Sequence, residues 1–193
     1  MKHLGEIEFE GVETIRKMQQ QKLSELLLYV STNSAYYKEV FRQHNIKIEN
    51  ITLDNLNELP FTTKDNLATH NDSFLCVDKS LVADYVTTSG TLSDPVTFYL
   101  TSADLERLAY NEALSLQCAD GSKKDIFQMM TTIDKLFMAG LAYFLGIRKL
   151  GAASIRVGPG TPQAQWDYIH RFKPSTLIAI PSFIPQLLQC IFL

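Results

Sequence analysis

The sequence lacks several patterns that define common classes of protein. Its three cysteines are far apart and form no Cys-x-x-Cys pair, so we expect buried thiols in a reducing compartment and neither a disulfide framework nor a zinc site. The four histidines are scattered, without the spacing of metal ligands. A net charge of -3 provides no basic surface, which argues against nucleic-acid binding.

Long apolar stretches are also missing. The N-terminus has no apolar segment of the kind found in secretory signals, and no run is long enough to span a membrane, so we expect a cytoplasmic protein with no membrane partner. The sequence has no G-x-S-x-G elbow, no Walker loop and no strand-following G-x-G-x-x-G. An unrelated α/β hydrolase or transferase would need a nucleophile–base pair, and none can be identified.

What is present is the composition and periodicity of a globular α/β protein, with 46% hydrophobic residues. Apolar spacing predicts two N-terminal helices, at residues 11–32 and 34–44. Thr62 with Asp65, and Thr101 with Asp104, have the pattern of capping boxes that begin two further helices. The second of these is predicted to end near residue 119, and Gly140 and Gly146 in a later apolar helix suggest close packing against a neighbour.

The remaining residues alternate between short apolar strands and helices. Strands are predicted at residues 126–131, 153–157 and 176–180, and helices at 136–150, 163–172 and from Pro181 onwards. Such alternation is typical of an α/β fold with an open, mostly parallel sheet and helices on both faces, here preceded by a helical N-terminal third. We see no domain boundary, so residues 1–193 are predicted to form a single domain.

The most informative stretch is residues 85–99, which has the pattern of two β-strands joined by a tight loop at residues 88–95. Hydroxyl side chains crowd this loop, at Thr87, Thr88, Ser89, Thr91 and Ser93. Gly90 allows backbone N–H groups to turn toward a ligand, and such a loop suits the oxygens of a phosphate. A serine-rich hairpin turn without a ligand is the alternative interpretation.

The order of residues in this loop resembles a known motif. Thr88-Ser89-Gly90-Thr91-x-x-x-Pro95 is similar to the phosphate loop T/S-S-G-T-T-G-K-P of the adenylate-forming enzymes. Leu92, Ser93 and Asp94 depart from that pattern. Asp94 stands in the place of the lysine, and at ~5 Å a like-charge pair with a triphosphate would cost on the order of 1–3 kcal/mol unless Mg²⁺ lies between them.

Three further stretches resemble one branch of that superfamily, the phenylacetate–CoA ligases. They are L-P-F-T-T-K-D at residues 59–65, L-F-x-x-G-L from Leu136, and I-A-I-P-S-F at residues 178–183, beside the family's A-T-P-S-Y. Asp134 and Lys135 replace an aromatic-Gly pair of phenylacetate-specific members. The resemblance implies the N-terminal portion of an AMP-forming carboxylate–CoA ligase, whose substrates are a small carboxylic acid, ATP with Mg²⁺, and CoA.

This resemblance also implies two groups of site residues, with no protein nucleophile and no resident metal. The phosphate-binding group is Thr87, Thr88, Ser89, Gly90 and Thr91. The substrate-pocket group is Phe137, Met138, Arg156, Pro181, Ser182 and Phe183. For Phe137 and Met138, ordinary core packing is the alternative, and Arg156 could either neutralise a carboxylate or phosphate or lie at a surface strand end.

The resemblance extends over only about the first half of a family member, and the motifs that complete the active site come later in the family. The chain ends inside an apolar helix, so we expect a truncated or cut product that is inactive alone and self-associates through its exposed C-terminal apolar face. The alternative is a degenerate, non-catalytic remnant or an interaction module that kept the fold but lost nucleotide binding.

Overall fold

The computed structural model describes residues 7–88 and 95–190. The chain consists of two compact units, Met1–Tyr99 and Leu100–Leu193. Helices dominate the first unit, as the apolar spacing predicts. Its elements are α1 (Val12–Asn33), α2 (Ala35–Gln43), α3 (Lys64–Thr69), β1 (Val82–Thr87) and most of β2 (Thr97–Thr101). The second unit contains α4 (Ser102–Cys118), β3 (Ile126–Met129), α5 (Met138–Leu150), β4 (Ala153–Arg156), α6 (Pro162–Phe172), β5 (Thr176–Ile178) and α7 (Ile184–Gln189).

Ser34 separates the first two helices. Its backbone is extended, and its side chain accepts the N–H of Tyr37, so it caps α2 directly after α1 ends. The same hydroxyl donates to the carbonyl of Ser73 at 2.9 Å, and Ser34 is fully buried. Leu27 of α1, Phe41 of α2 and Ile51 form the small core of this unit. The two predicted helices are confirmed to within about two residues at each end.

The capping box predicted at Thr62 and Asp65 is wrong by one residue. The helix α3 is capped by Thr63, whose hydroxyl accepts the N–H of Asn66, while the Asn66 side chain accepts the N–H of Thr63. Thr62 instead forms a hydrogen bond of 3.0 Å with the hydroxyl of Tyr37. The second predicted box is confirmed, because Thr101 caps α4 and Asp104 bonds back to it.

The second unit contains a three-stranded parallel sheet with the order β4-β3-β5. Phe127 of the central strand lies opposite Ser154 on one side and Thr176 on the other. Phe127, Met129 and Ile147 form the core between this sheet and α5. The α/β class and the helical N-terminal part agree with the sequence prediction. The strands β1 and β2 pair with each other in a separate two-stranded sheet.

The predicted close approach at the two glycines of α5 is also found. A Cβ at Gly140 would overlap the backbone carbonyl of Thr132, and one at Gly146 would overlap the Cβ of Glu112 on α4. Gly151 ends α5 in the left-handed conformation, with φ of 81°. At Gly146 the helix α5 therefore packs closely against α4, and at Gly140 it packs closely against the loop that follows β3.

Candidate functional site

Two hydrogen bonds join Thr88 and Val96 at the base of the predicted phosphate loop. The N–H of Thr88 donates to the carbonyl of Val96 at 3.0 Å, and the N–H of Val96 donates to the hydroxyl of Thr88 at 3.1 Å. Val86 and Val96 are buried, which anchors both sides of the hairpin. Thr87 and Thr88 are therefore placed at the base of the predicted loop. Three of the five proposed phosphate contacts, Ser89, Gly90 and Thr91, and the divergent residues 92–94 lie outside the described residues.

A polar cluster attaches β2 to the preceding turn. The amide of Asn71 donates to the carbonyl of Thr97 at 2.8 Å. The Tyr99 hydroxyl donates to Asp72 at 2.7 Å, and the Lys79 ammonium donates to the other oxygen of that carboxylate at 3.0 Å. The hydrogen bond from Tyr99, followed by that from Lys79, lowers the pKa of Asp72. The hairpin therefore has a second attachment, on its C-terminal strand.

In the second unit, a cleft of about 550 Å³ lies at the carboxyl ends of β3 and β4. Residues 131–135 form the wall that follows β3, and residues 156–159 form the wall that follows β4. Carboxyl ends of parallel strands are where open α/β sheets bind their ligands. The loops that follow β3 and β4 therefore meet at one edge of the sheet and line this cleft together.

Arg156 is the predicted site residue that lines this cleft. It lies opposite Met129 in the register of β4 against β3, and its guanidinium lies 4.9 Å from the ring centre of Phe144. The side chain is exposed, and in the described part of the chain it makes no ion pair. A guanidinium held by a ring and free of a carboxylate is available to an anionic ligand.

The segment between β3 and α5 has an unusual backbone. Lys135 and Leu136 have φ of 59° and 58°, the left-handed region that residues with a Cβ seldom adopt. The hydroxyl of Thr132 donates to the carboxylate of Asp134, just before this turn. Phe137 and Met138 follow it and are 43% and 40% exposed, so neither belongs to the core. They adjoin the cleft in sequence but are not among its lining residues.

The last predicted pocket residues lie elsewhere in the unit. Pro181, Ser182 and Phe183 form one turn of 3-10 helix between β5 and α7. Pro181 and Ser182 are exposed and Phe183 is half-buried, and none of the three is among the residues that line the cleft. The structure therefore brings together one of the six predicted pocket residues, Arg156, with the loop after β3.

A buried pair of glutamines supports the cleft and was not predicted from the sequence. The amide of Gln165 on α6 donates to the carbonyl of Gly158 at 2.9 Å, and the amide of Gln128 on β3 donates to the Gln165 side-chain oxygen at 2.9 Å. Both glutamines are almost fully buried. They connect the central strand to the turn after β4. A polar residue inside the apolar run of β3 was the available signal, but nothing in the sequence identifies its partner.

Neither a membrane span nor a metal centre is found in the part of the chain that the structure describes. No helix there is both long enough and apolar enough to cross a bilayer. No group of three or more histidine, cysteine, aspartate or glutamate side chains there could hold a metal ion.

Sequence comparison relates the chain to the N-terminal part of one class of ligases. No known protein-family profile matches it. It is 29% identical to the phenylacetate–coenzyme A ligase of Escherichia coli (strain K12) over 189 residues, which cover 96% of this chain and 43% of that protein. The corresponding ligase of Thermus thermophilus is 27% identical and covers 98% of this chain. The chain spans about two fifths of the length of the curated relatives it matches.

Structural comparison gives the same fold. The crystal structure of a 2-hydroxyisobutyryl-CoA ligase, in complex with 2-HIB-AMP and CoA, matches with a TM-score of 0.86 at 18% identity, over 93% of this chain and 40% of that one. At this identity the match shows that the two chains share a fold. By sequence, the chain is homologous to the N-terminal two fifths of the phenylacetate–CoA ligases.

Proposed function

We propose that residues 1–193 act as the incomplete N-terminal domain of an AMP-forming carboxylate–CoA ligase that binds the phosphates of ATP and a carboxylic acid. The observation that carries the acid-binding part is the open cleft at the carboxyl edge of the sheet, which presents the guanidinium of Arg156 without an ion-pair partner among the described residues. The homology to phenylacetate–coenzyme A ligases over nearly the whole chain supports the reaction class.

In this reaction the acid and ATP give an acyl-adenylate and pyrophosphate, and CoA then displaces AMP. The protein contributes positioning and charge stabilisation and no covalent nucleophile. We assign the β- and γ-phosphates to the loop from Thr87 to Thr91, with Mg²⁺ as the counter-ion. Arg156 attracts the carboxylate, whereas Phe137, Met138 and the turn from Pro181 to Phe183, which the resemblance also implied, lie outside the lining of this cleft.

Phosphate binding is tested by titrating Mg-ATP while following thermal stability. A ligand at 100 times its dissociation constant adds about 2.7 kcal/mol, which is a clear shift of the melting temperature. Thr91→Val should reduce the shift, whereas Thr69→Val, in a helix remote from the loop in sequence, should leave it intact. No shift at millimolar Mg-ATP would contradict nucleotide binding by this chain.

A second function is a non-catalytic remnant or interaction module with the same fold. Ser93 and Asp94 favour it, because they replace the glycine and the lysine of the phosphate motif. In that case Mg-ATP should have no effect, while restoring the pair with Ser93→Gly and Asp94→Lys should create binding. The isolated chain should in either case catalyse no acid-dependent ATP–pyrophosphate exchange, since the later motifs of the family are not part of it.

Self-association through the C-terminal apolar surface is part of the same proposal. Leu177, Ile180 and Leu188 are 40%, 59% and 48% exposed, so this region presents apolar side chains to solvent. Light scattering should detect oligomers that dissociate in the variant Ile180→Asp. A monodisperse monomer would contradict this part and leave the ligand-binding proposal untouched.

A further inference from the structure

The sheet-edge cleft presents charges of both signs. Arg156 and Lys135 are cationic, Asp134 is anionic, and all three side chains are exposed. No ion pair joins them among the residues that the structure describes. An acid whose only polar group is its carboxylate would use the cations and leave Asp134 beside a like charge. An acid that also carries a hydrogen-bond donor could satisfy both.

Thr131 supplies a second, independent sign of a polar ligand. Its side chain is only 8% exposed, and its hydroxyl has no hydrogen-bond partner among the described residues. A buried hydroxyl without a partner is unfavourable, and most such groups in proteins are paired. Thr131 lies in the cleft wall, where a rotation of about 120° about its Cα–Cβ bond would move the hydroxyl from its unpartnered position to another staggered position on Cβ. The hydroxyl could then donate to or accept from a bound molecule.

The cleft is also poorly suited to an aryl group. Its apolar contributions come from the aliphatic side chains of Ile133, Val157 and Pro159, and residues 131–135 and 156–159 include no aromatic side chain. The nearby ring of Phe144 is covered by the Arg156 guanidinium. Stacking, which gives aromatic ligands much of their affinity, therefore has no free partner in this lining.

We propose that this cleft selects a short carboxylic acid that carries a hydrogen-bond donor beside the carboxylate, a hydroxy acid or an amino acid, over aryl and unsubstituted acids. Arg156 holds the carboxylate, Asp134 accepts from the ammonium or hydroxyl group, and the Thr131 hydroxyl bonds to the same polar group. The proposal rests on the proposed function, since it specifies the acid that the acid-binding cleft accepts.

Titrations of the full chain with four acids, followed by the amide NMR signals of residues 131–135 and 156–159, test this proposal. Propionate, lactate and alanine share a three-carbon skeleton and differ only in their second substituent, and phenylacetate is the aryl comparison. We expect lactate or alanine to bind at least about fivefold more tightly than propionate, and phenylacetate to bind no more tightly than propionate.

Two variants identify the donor. Asp134→Asn removes the charge of an exposed side chain, so it should abolish a preference for alanine and weaken one for lactate only in part. Thr131→Val removes the hydroxyl and should abolish a preference for lactate, while Thr131→Ser should retain it. If Thr131→Val fails to fold, the titrations of Asp134→Asn, a change at an exposed position, still test whether the cleft prefers an acid with a hydrogen-bond donor.

The failures of the two proposals give different results. Binding of all four acids within about fivefold, lost in Arg156→Ala, would overturn the selectivity and leave the acid-binding cleft in place. Binding of no acid at tens of millimolar would overturn both the selectivity and the acid-binding part of the proposed function. A preference unaffected by both Asp134→Asn and Thr131→Val would overturn the assignment of these residues.

Discussion

Thr88 and Val96 hold the two ends of the hydroxyl-rich segment together through one backbone hydrogen bond and one made by a side chain. The second of these depends on the hydroxyl of Thr88, which accepts the Val96 N–H at 3.1 Å. Thr88 thus has an observed structural role, which is to close the hairpin. The family resemblance predicts a second role for it, which is to contact phosphate. These two roles can be separated by experiment, because only the structural role affects the Val96 amide without a ligand.

Replacing Thr88 with valine should weaken the base of the hairpin. The Val96 N–H would lose its acceptor, and the loss of one hydrogen bond of this kind costs about 1 kcal/mol. We expect the Val96 amide to exchange with solvent about fivefold faster, as measured by hydrogen-exchange NMR. Thr88→Ser should preserve the protection, and Thr87→Val, whose hydroxyl has no partner in the described ranges, should leave it unchanged. Unaltered exchange in Thr88→Val would contradict this role.

Gly146→Ala should destabilise the second unit. The added methyl group would overlap the Cβ of Glu112 and lie 3.0 Å from the backbone nitrogen of Ala113, which forces α4 and α5 apart. Overpacking of this kind typically costs about 1–3 kcal/mol. Urea unfolding followed by the fluorescence of the single tryptophan, Trp166, measures the loss.

The matched control for this change is Gly160→Ala in the same unit. There the nearest neighbour of the new methyl group would be the side-chain nitrogen Nε2 of Gln165, at 3.4 Å. Its effect should stay within about 0.5 kcal/mol. Equal stability of the Gly146 and Gly160 variants would show that the approach of α4 to α5 does not constrain position 146.

Gln165→Leu should destabilise the turn after β4 by removing two hydrogen bonds. The Gly158 carbonyl would lose its donor, and the Gln128 amide would lose its side-chain acceptor while keeping its bond of 3.2 Å to the backbone carbonyl of residue 165. Each such loss costs about 0.5–1.5 kcal/mol. Denaturant unfolding should show that Gln128→Leu combined with Gln165→Leu costs less than the sum of the single changes, because the partners are removed together. Simple additivity would argue against a coupled pair.

Glu112→Gln should raise the stability of the protein at neutral pH. Partial burial against α5 raises the pKa of Glu112, which means that folding favours its protonated form. The penalty is absent below the ordinary pKa of a glutamate, grows as the pH rises through the raised pKa, and is complete at neutral pH. The gain should be below about 1 kcal/mol, because solvent screens this half-buried group.

The difference between wild type and Glu112→Gln should therefore vanish in acid, as thermal melts across the pH range would show. Glu106→Gln is the comparison. Glu106 accepts a hydrogen bond from Lys149 at 3.1 Å, so replacing its carboxylate with a neutral amide should not stabilise the protein. A Glu112→Gln variant less stable than the wild type at pH 7 would indicate an interaction that favours the ionised carboxylate.

Local patterns were predicted well where a single set of residues could satisfy them. Thr101 and Asp104 are the only suitable pair at the start of α4, and they form the capping box. At α3 the sequence Thr62-Thr63-Lys64-Asp65-Asn66 offers two overlapping boxes. The hydrogen bond between the Thr62 and Tyr37 hydroxyls engages Thr62 and leaves Thr63 to cap the helix, and these two bonded residues are 25 positions apart. Sequence spacing alone contains no information about that contact.

The sequence predicted that the strands form a parallel sheet, but it did not predict the order of the strands in that sheet. Alternating strands and helices indicated a parallel sheet, and β3, β4 and β5 form one. The order β4-β3-β5, with the first of these strands along the chain at the centre, depends on packing between strands that are distant in sequence, which apolar periodicity does not encode. In the cleft, Arg156 was predicted through the family resemblance, as part of the segment that takes the place of the glycine-rich turn. Thr131 and Gln165 were not, since their burial results from packing between distant parts of the chain.

The contact between Gly140 and the carbonyl of Thr132 limits how this protein can change over evolutionary time. An insertion between positions 132 and 140 would have to preserve this contact, whereas exchanging the exposed side chain at position 134 leaves the contact in place. Point substitutions at position 134 are therefore compatible with the fold. A change in the length of the segment is compatible with it only where the carbonyl of residue 132 still meets the glycine.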